Sequence, residues 1–138
     1  SGANIISFHP EADSEPLKVI NTIKKFNCLA GIAIHPDVKV IDIEKYLDFV
    51  GIVIVMTVNP GFGGQKFIQE MVPKISMLRA ELDHRGILAD LEVDGGISSQ
   101  TARIVVEAGA NVLVAGSAVF NTERSVSDSI ASIRESVL

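Results

Sequence analysis

The sequence VGIVIVMTVNPGFGGQ occupies residues 50–65 and joins an apolar run to a glycine-rich loop. The run is rich in Val and Ile and lies between Gly51 and Asn59-Pro60, which is typical of a parallel strand buried on both faces. In residues 59–65, three glycines leave backbone N–H groups free to converge on a ligand, because no Cβ blocks its approach. A turn without a ligand is the alternative. We expect a buried strand that leads into an anion-binding active-site loop.

Composition narrows the class of protein. The chain has 138 residues, 47% of them hydrophobic, and a formal net charge of −5, which suits one α/β domain with a sizeable core. The basic residues are dispersed, which argues against a nucleic-acid partner. No apolar stretch approaches about 20 residues, and no basic leader opens the chain, so we expect no membrane span and a cytoplasmic location. The single Cys28 is interpreted as a small core residue.

Five units of a strand followed by a helix succeed one another along the chain. The predicted strands are residues 4–9, 29–34, 50–58, 88–93 and 111–115. Between them, apolar residues recur at helical spacing, with Ser14 and either Ser98 or Ser99 as candidate N-caps. The second helix is placed at residues 43–49, the third from Ile68 to Leu82, and the fourth ends at Gly109. The fifth presents Val126, Ile130, Ile133 and Val137 on one face.

Such an order, without hairpin signals, predicts a parallel sheet with helical crossovers. Five units form either an open doubly wound sheet or the larger part of an eight-unit barrel, and spacing alone does not choose between them.

Chemistry in parallel α/β folds gathers after the strands, at their carboxyl ends. Here those positions hold His9, residues 35–37, residues 59–65, residues 94–96 and Gly116-Ser117. Three of the five turns are glycine-rich, and their backbone N–H groups can converge on one phosphate together with the Ser117 hydroxyl.

Asp94 ends its strand, where an enclosed carboxylate can bind a metal or exchange a proton. A structural turn, in which Asp94 accepts from the Gly95 and Gly96 amides, is the alternative. Glu92 is expected on the opposite side of the strand and receives no role. Met56 either fills the core or presents its thioether to a ligand. Hydrogen-bonded structural roles are predicted for His9 and His35, and a solvated position for His84.

Taken in order, these motifs resemble the ribulose-phosphate 3-epimerase family. The similarity rests on Ile-Ile-Ser-Phe-His near the start, Val-Met-Thr-Val-Asn-Pro-Gly-Phe-Gly-Gly-Gln at 55–65, Leu-Glu-Val-Asp-Gly-Gly-Ile at 91–97 and Ala-Gly-Ser-Ala-Val-Phe at 115–120. The resemblance implies a (β/α)₈ TIM barrel, of which this chain supplies about five βα units. It also implies interconversion of D-ribulose 5-phosphate and D-xylulose 5-phosphate, a step of the pentose phosphate pathway.

The resemblance also implies residue roles. Asp94 matches an acid that exchanges the C3 proton and is a metal ligand, in a family where a second Asp and a divalent metal complete the site. Zn²⁺, Fe²⁺ or Mn²⁺ is expected, with most ligands outside this chain. Met56 matches a methionine near the intermediate. The substrate phosphate cradle is implied at Gly61, Phe62, Gly63, Gly64, Gly95, Gly96, Gly116 and Ser117.

The chain departs from the family pattern in two places. Family members begin about three βα units earlier, and those units supply a substrate-binding serine and further catalytic and metal-binding residues. Residues 1–138 are therefore interpreted as a single α/β domain forming a partial barrel, whose activity alone is not expected. His35-Pro36-Asp37 also replaces the usual Asn-Pro-Gly or Lys-Pro-Gly. Exposed sheet edges predict a homo-oligomer or a partner segment that completes the barrel.

Two alternative functions share these motifs. One is an epimerase for a six-carbon ketose phosphate such as allulose 6-phosphate. The other is a non-catalytic phosphate-binding half-barrel.

Overall fold

The computed structural model describes residues 2–59, 61 and 64–138. In this part of the chain, one sheet contains five strands in the order β1-β2-β3-β4-β5, and every neighbouring pair is parallel. The strands are β1 (Ile5–Phe8), β2 (Leu29–Ile34), β3 (Ile52–Met56), β4 (Asp90–Asp94) and β5 (Val112–Val114).

Each predicted strand is present, with β2 at its predicted bounds. The fourth strand begins two residues later than predicted, and Leu88, which precedes it, is fully exposed. It also extends one residue further and includes Asp94.

Helices lie between the strands. They are α1 (Pro16–Lys25), α2 (Val40–Ile43), α3 (Val72–Arg85), α4 (Ala102–Glu107) and α5 (Val126–Glu135), with 3-10 turns at Pro10–Ala12, Glu44–Phe49 and Gln69–Met71. The predicted helix at 43–49 is therefore mostly 3-10.

The predicted serine caps are wrong. At α1, the N-cap is Glu15, whose N–H donates to the Asp13 carboxylate at 2.7 Å. Before α4, residues 98–101 form a turn in which the Thr101 hydroxyl accepts from the Ser98 N–H at 2.9 Å, so the helix begins only at Ala102. The N-caps of the two helices therefore lie one to three residues after the predicted serines.

The strand order decides between the two candidate architectures. In a doubly wound sheet, the order of strands reverses near the middle, whereas a barrel keeps sequential strands adjacent. All five strands here are adjacent in sequence order. The sheet is therefore an arc of a (β/α)₈ barrel, as the family resemblance implied.

The hydrophobic core lies between the outer face of this arc and the helices. Ile32, Val53, Val55, Leu91 and Val93 on the strands are fully buried, as are α3 residues Ile75, Leu78 and Leu82. Alternate strand residues face the interior of the arc, where a Cβ on Gly31 would lie 2.5 Å from the Ile52 side chain and 3.1 Å from Ser7. In the described part of the chain, helices cover the outer face of the sheet and leave its interior face uncovered. Residues Ile54 and Met56 of β3 are half-buried, so the expectation of burial on both faces holds only in part.

The two edge strands carry exposed apolar side chains. Ile5 of β1 is 47% exposed and Val114 of β5 is 39% exposed. On α5, Val126 and Ile130 are also exposed, while Ile133 packs against the core, as does Val137 just after the helix. Cys28 is half-buried beside the core and its thiol donates to the Ala3 carbonyl at 3.2 Å. Among the described residues, no helix has the length and apolar character needed to cross a bilayer.

Candidate active site

A cleft of about 320 Å³ lies at the carboxyl ends of β3, β4 and β5. Every residue of the predicted site that belongs to the described part of the chain lines this cleft: Met56, Gly61, Gly64, Asp94, Gly95, Gly96, Gly116 and Ser117. Phe62 and Gly63, also predicted for the cradle, lie outside the described residues. The structure thus brings together residues that are up to 61 positions apart (117 − 56 = 61).

Asp94 is the last residue of β4 and lies in register with Met56 of β3 and Val114 of β5. Its side chain is half-buried, and burial raises the pKa of this carboxyl above its ordinary value of 3.8. Among residues 2–59, 61 and 64–138, no hydrogen bond or ion pair involves the carboxylate. It is therefore a half-buried acid that lines the cleft, which is suited to proton exchange or to a bound cation.

Glu92 shares the face of Asp94, and the expectation that it lies on the opposite side is wrong. Residues two apart in a strand point the same way, so Asp90, Glu92 and Asp94 all face the interior of the arc. Burial raises the pKa of Glu92, and the neighbouring Asp94 and Asp90 carboxylates raise it further. The effect of the Asp94 carboxylate on the pKa of Glu92 is expected because both side chains lie on one face of the strand.

The Asp-Gly-Gly turn is held by two threonines that were not among the predicted site residues. Thr57 is fully buried, and its hydroxyl donates to the carbonyls of Gly95 at 2.6 Å and Asp94 at 3.2 Å. The Thr101 hydroxyl donates to the Gly96 carbonyl at 2.9 Å. Thr57 carried a signal in the sequence, since it is the one polar residue in the apolar run of residues 50–58.

These two glycines are required by the geometry of the turn. Gly95 has φ +124°, and a Cβ there would lie 2.9 Å from the Val58 backbone nitrogen. Gly96 has φ +66°, and a Cβ there would lie 2.6 Å from the Phe67 nitrogen. The segment after the β3 loop therefore packs directly against the turn, at a distance that no side chain permits.

The turns present unused backbone donors to the cleft. Within the described residues, the N–H groups of Gly95, Gly96 and Ser117 donate no hydrogen bond, and Ser117 also offers its hydroxyl. Gly61 and Gly64 also line the cleft, and a Cβ added to either one would meet no atom within 4 Å. Convergent N–H groups of this kind are complementary to a phosphate.

A second cavity of about 330 Å³ lies on the other side of Ser117, beside Ser98, Asn121 and Arg124. It contains Ser117 but neither Asp94 nor the glycines of the β3 and β4 turns. We therefore place the candidate active site in the first cleft, where the acid and the donors meet.

Within the described residues, the predicted hydrogen-bonded role is confirmed for His35 but is wrong for Nδ1 of His9. His35 Nδ1 is 2.5 Å from the Asp37 carboxylate, which confirms a hydrogen-bonded role. His9 Nδ1 is buried and 3.4 Å from Glu11 Oε1, but among the described residues it makes no hydrogen bond of acceptable geometry. His84 is exposed on α3, as predicted.

Consecutive parallel strands, outer helices and a glycine-lined cleft at the carboxyl ends define a TIM-barrel protein. A family model described as the ribulose-phosphate 3 epimerase family matches residues 1–120. The chain belongs to this family.

Individual proteins named as ribulose-phosphate 3-epimerases are also similar to this chain. The chain is 48% identical over 122 residues to a ribulose-phosphate 3-epimerase of Bacillus subtilis, covering 87% of this chain and 56% of the relative. It is 46% identical to the chloroplastic ribulose-5-phosphate-3-epimerase of Arabidopsis thaliana, covering 89% of this chain and 44% of that protein. Identity to the Synechocystis ribulose-phosphate 3-epimerase is 41%, over 99% of this chain and 60% of the relative. The chain spans about half the length of these relatives.

Proposed function

We propose that the protein is a ribulose-phosphate 3-epimerase, which interconverts D-ribulose 5-phosphate and D-xylulose 5-phosphate by moving a proton at C3. The observation that carries the proposal is the common cleft of Asp94 and the three glycine-rich turns. In this cleft, a carboxylate suited to exchanging a proton lies near hydrogen-bond donors suited to binding a phosphate dianion. Both are needed for a reaction on a sugar phosphate.

The phosphate would lie against the turns after β3, β4 and β5. The free amides of Gly95, Gly96 and Ser117 and the Ser117 hydroxyl are the donors that support this placement. We assign Gly61, Phe62, Gly63, Gly64 and Gly116 to the same cradle. Binding the non-reacting phosphate holds the ketose in one orientation, so that its C3 lies beside the acid.

Asp94 would exchange the C3 proton on one face of the substrate. Its half-buried position and raised pKa bring its protonated and ionised forms closer in free energy at neutral pH. Inversion requires a second acid on the opposite face, which in this proposal comes from outside these residues. Met56 is adjacent to Asp94 in the register and would contact the planar intermediate through its thioether.

The described residues do not by themselves form a metal site. They contain no group of three or more His, Cys, Asp or Glu side chains arranged to hold an ion. We therefore derive no step through a metal, and propose Asp94 as one carboxylate ligand of a divalent cation such as Zn²⁺, Fe²⁺ or Mn²⁺. When bound, such a cation stabilises the negative charge of an enediolate.

The remaining βα units of the barrel would come from outside residues 1–138, from the same or another polypeptide. The exposed apolar residues of β1 and β5 support this, because an uncovered parallel edge is rarely stable in water. Whether the protein also forms a homo-oligomer depends on how these edges are covered.

The proposal is tested by coupled-enzyme assay of ribulose 5-phosphate turnover, using the native protein as its gene encodes it. Asp94→Asn keeps the shape of the side chain but cannot exchange the proton, so turnover should fall by at least about 10²–10⁴-fold. Asp90→Asn, at the opposite end of the same strand, is the matched control and should retain activity.

Three other results would overturn the proposal. Phosphate binding without turnover in the unmodified protein indicates a binding module. Preferential turnover of allulose 6-phosphate indicates a six-carbon epimerase. Full activity of Asp94→Asn excludes the assigned acid.

A further inference from the structure

The turn after β2 holds a His-Pro-Asp sequence that the proposed function does not yet use. Ile34, the last residue of β2, is paired with Val55 of β3, so His35 follows the end of β2 directly, beside Met56 of β3. Met56 in turn is paired with Asp94. Since neighbouring strands lie about 4.8 Å apart, His35 continues the row that Met56 and Asp94 begin.

Continued by one residue beyond Ile34, the alternation of β2 predicts that His35 lies on the interior side of the sheet. Ala30, Ile32 and Ile34 belong to the buried core under the helices. Gly31 faces the interior, because a Cβ there would meet Ile52 and Ser7. Odd-numbered positions of β2 thus face the interior of the barrel, and His35 is the next odd-numbered residue after the strand ends.

One ring nitrogen of His35 is held by a hydrogen bond, and the other is available to a ligand. Its Nδ1 lies 2.5 Å from the Asp37 carboxylate, and this hydrogen bond lowers the pKa of Asp37. With Nδ1 bonded in this way, Nε2 is free to accept from or donate to a ligand. The side chain is 36% exposed, which leaves it accessible.

The backbone of this turn is held from both sides. The His35 N–H donates to Glu11 Oε1 at 3.3 Å. Half-buried Lys74 of α3 donates to the carbonyls of Pro36 and Val38, both at 2.6 Å, and more weakly to that of His35 at 3.4 Å. A loop fixed by an anion and a cation from two other elements keeps its side chains in place before a ligand arrives.

We propose that His35, oriented by Asp37, binds a hydroxyl group of the ketose chain at the rim of the cleft. This inference rests on the proposed function and adds a substrate contact that the glycine turns do not make. Its ligand is the sugar part of the substrate, because the phosphate donors lie on β3, β4 and β5. It also gives a role to the His35 and Asp37 that replace the residues usual in the family.

The test measures steady-state kinetics on ribulose 5-phosphate and the Kd for inorganic phosphate in the native protein. The variants are His35→Asn, Asp37→Asn and the double variant, with His84→Asn on the surface of α3 as the matched control. We expect His35→Asn to raise KM about tenfold, to change kcat by less than about threefold and to leave the phosphate Kd unchanged. Asp37→Asn should raise KM only when His35 is present, as expected for coupled residues.

The outcomes separate the two proposals. No turnover in the unmodified protein overturns the proposed function itself. Turnover with an unchanged KM in His35→Asn overturns only the contact proposed here, as does an equal loss of phosphate affinity, which a general disturbance of the site would cause. Thermal unfolding checks the fold. If His35→Asn does not fold, the KM of Asp37→Asn decides, and an unchanged value contradicts the proposal.

Discussion

The hydroxyl of Thr57 donates a hydrogen bond of 2.6 Å to the carbonyl oxygen of Gly95. This bond joins the end of β3 to the turn after β4, and the Thr57 N–H adds a second connection to the Asp94 carbonyl at 2.8 Å. The proposed acid and its glycine turn are therefore hydrogen-bonded through their backbone to the neighbouring strand. The turn is held in shape before substrate binds.

Replacing Thr57 by Val should destabilise the protein. The substitution preserves shape but leaves the Gly95 carbonyl without its buried donor, which costs about 1–3 kcal/mol in the free energy of unfolding. Urea denaturation measures the loss. Thr22→Val, which removes an exposed hydroxyl bonded to the Lys18 carbonyl on α1, is the control and should cost less than about 0.5 kcal/mol. Equal effects of the two substitutions would show that the bond to Gly95 has no special weight.

Gly96 and Gly86 form a matched pair for a second prediction. Both have φ +66°, but a Cβ at Gly96 would lie 2.6 Å from the Phe67 nitrogen, while Gly86 has no such neighbour within 4 Å. Gly86→Ala should cost about 1–2 kcal/mol through the left-handed backbone alone. Gly96→Ala should cost about 1–3 kcal/mol more, because the backbone at Phe67 must move. Chemical denaturation compares the two, and similar losses would mean that the contact with Phe67 yields easily.

Lys74 should give the turn after β2 a dependence on pH. Burial lowers the pKa of Lys74 below its ordinary 10.5, despite the attraction of Asp37 and Glu11. The unfolded chain then binds the proton more tightly than the native state, so native stability contributed by this group rises as pH increases through the lowered pKa towards 10.5. It is lost again as pH falls through that window.

Lys74→Met removes both the titration and the three carbonyl contacts. We expect it to lower the free energy of unfolding by about 1–3 kcal/mol at neutral pH. The difference from the unmodified protein should widen towards pH 10.5. Exposed Lys25→Met should show neither effect. A constant difference across this pH range, measured by urea denaturation, would contradict the assignment to Lys74.

Ser117 is expected to contribute one donor to the bound anion. Ser117→Ala removes the hydroxyl and keeps the backbone N–H, so the Kd for inorganic phosphate should rise about two- to tenfold. Isothermal titration calorimetry on the native protein measures the change. Ser127→Ala on the exposed face of α5 serves for comparison, and equal affinities of the two variants would remove Ser117 from the cradle.

The sequence by itself determined the units of this fold and the positions of the site motifs. Hydrophobic periodicity and turn residues are local properties, so they placed all five strands and the glycine turns that follow them. They also placed Asp94 at the end of β4 and Ser117 in the turn after β5, and both residues line the cleft. These results need only residues that are close along the chain.

Tertiary structure alone decided the order of the strands and the supports of the site. Thr57 bonds to Gly95 across 38 positions, and Lys74 bonds to the Pro36 carbonyl across 38 positions. No periodic pattern encodes such contacts, because they arise only after strands have paired and helices have packed on them. The serine caps were wrong because α1 follows Glu15 and α4 follows Thr101, at positions that a preference for serine does not indicate.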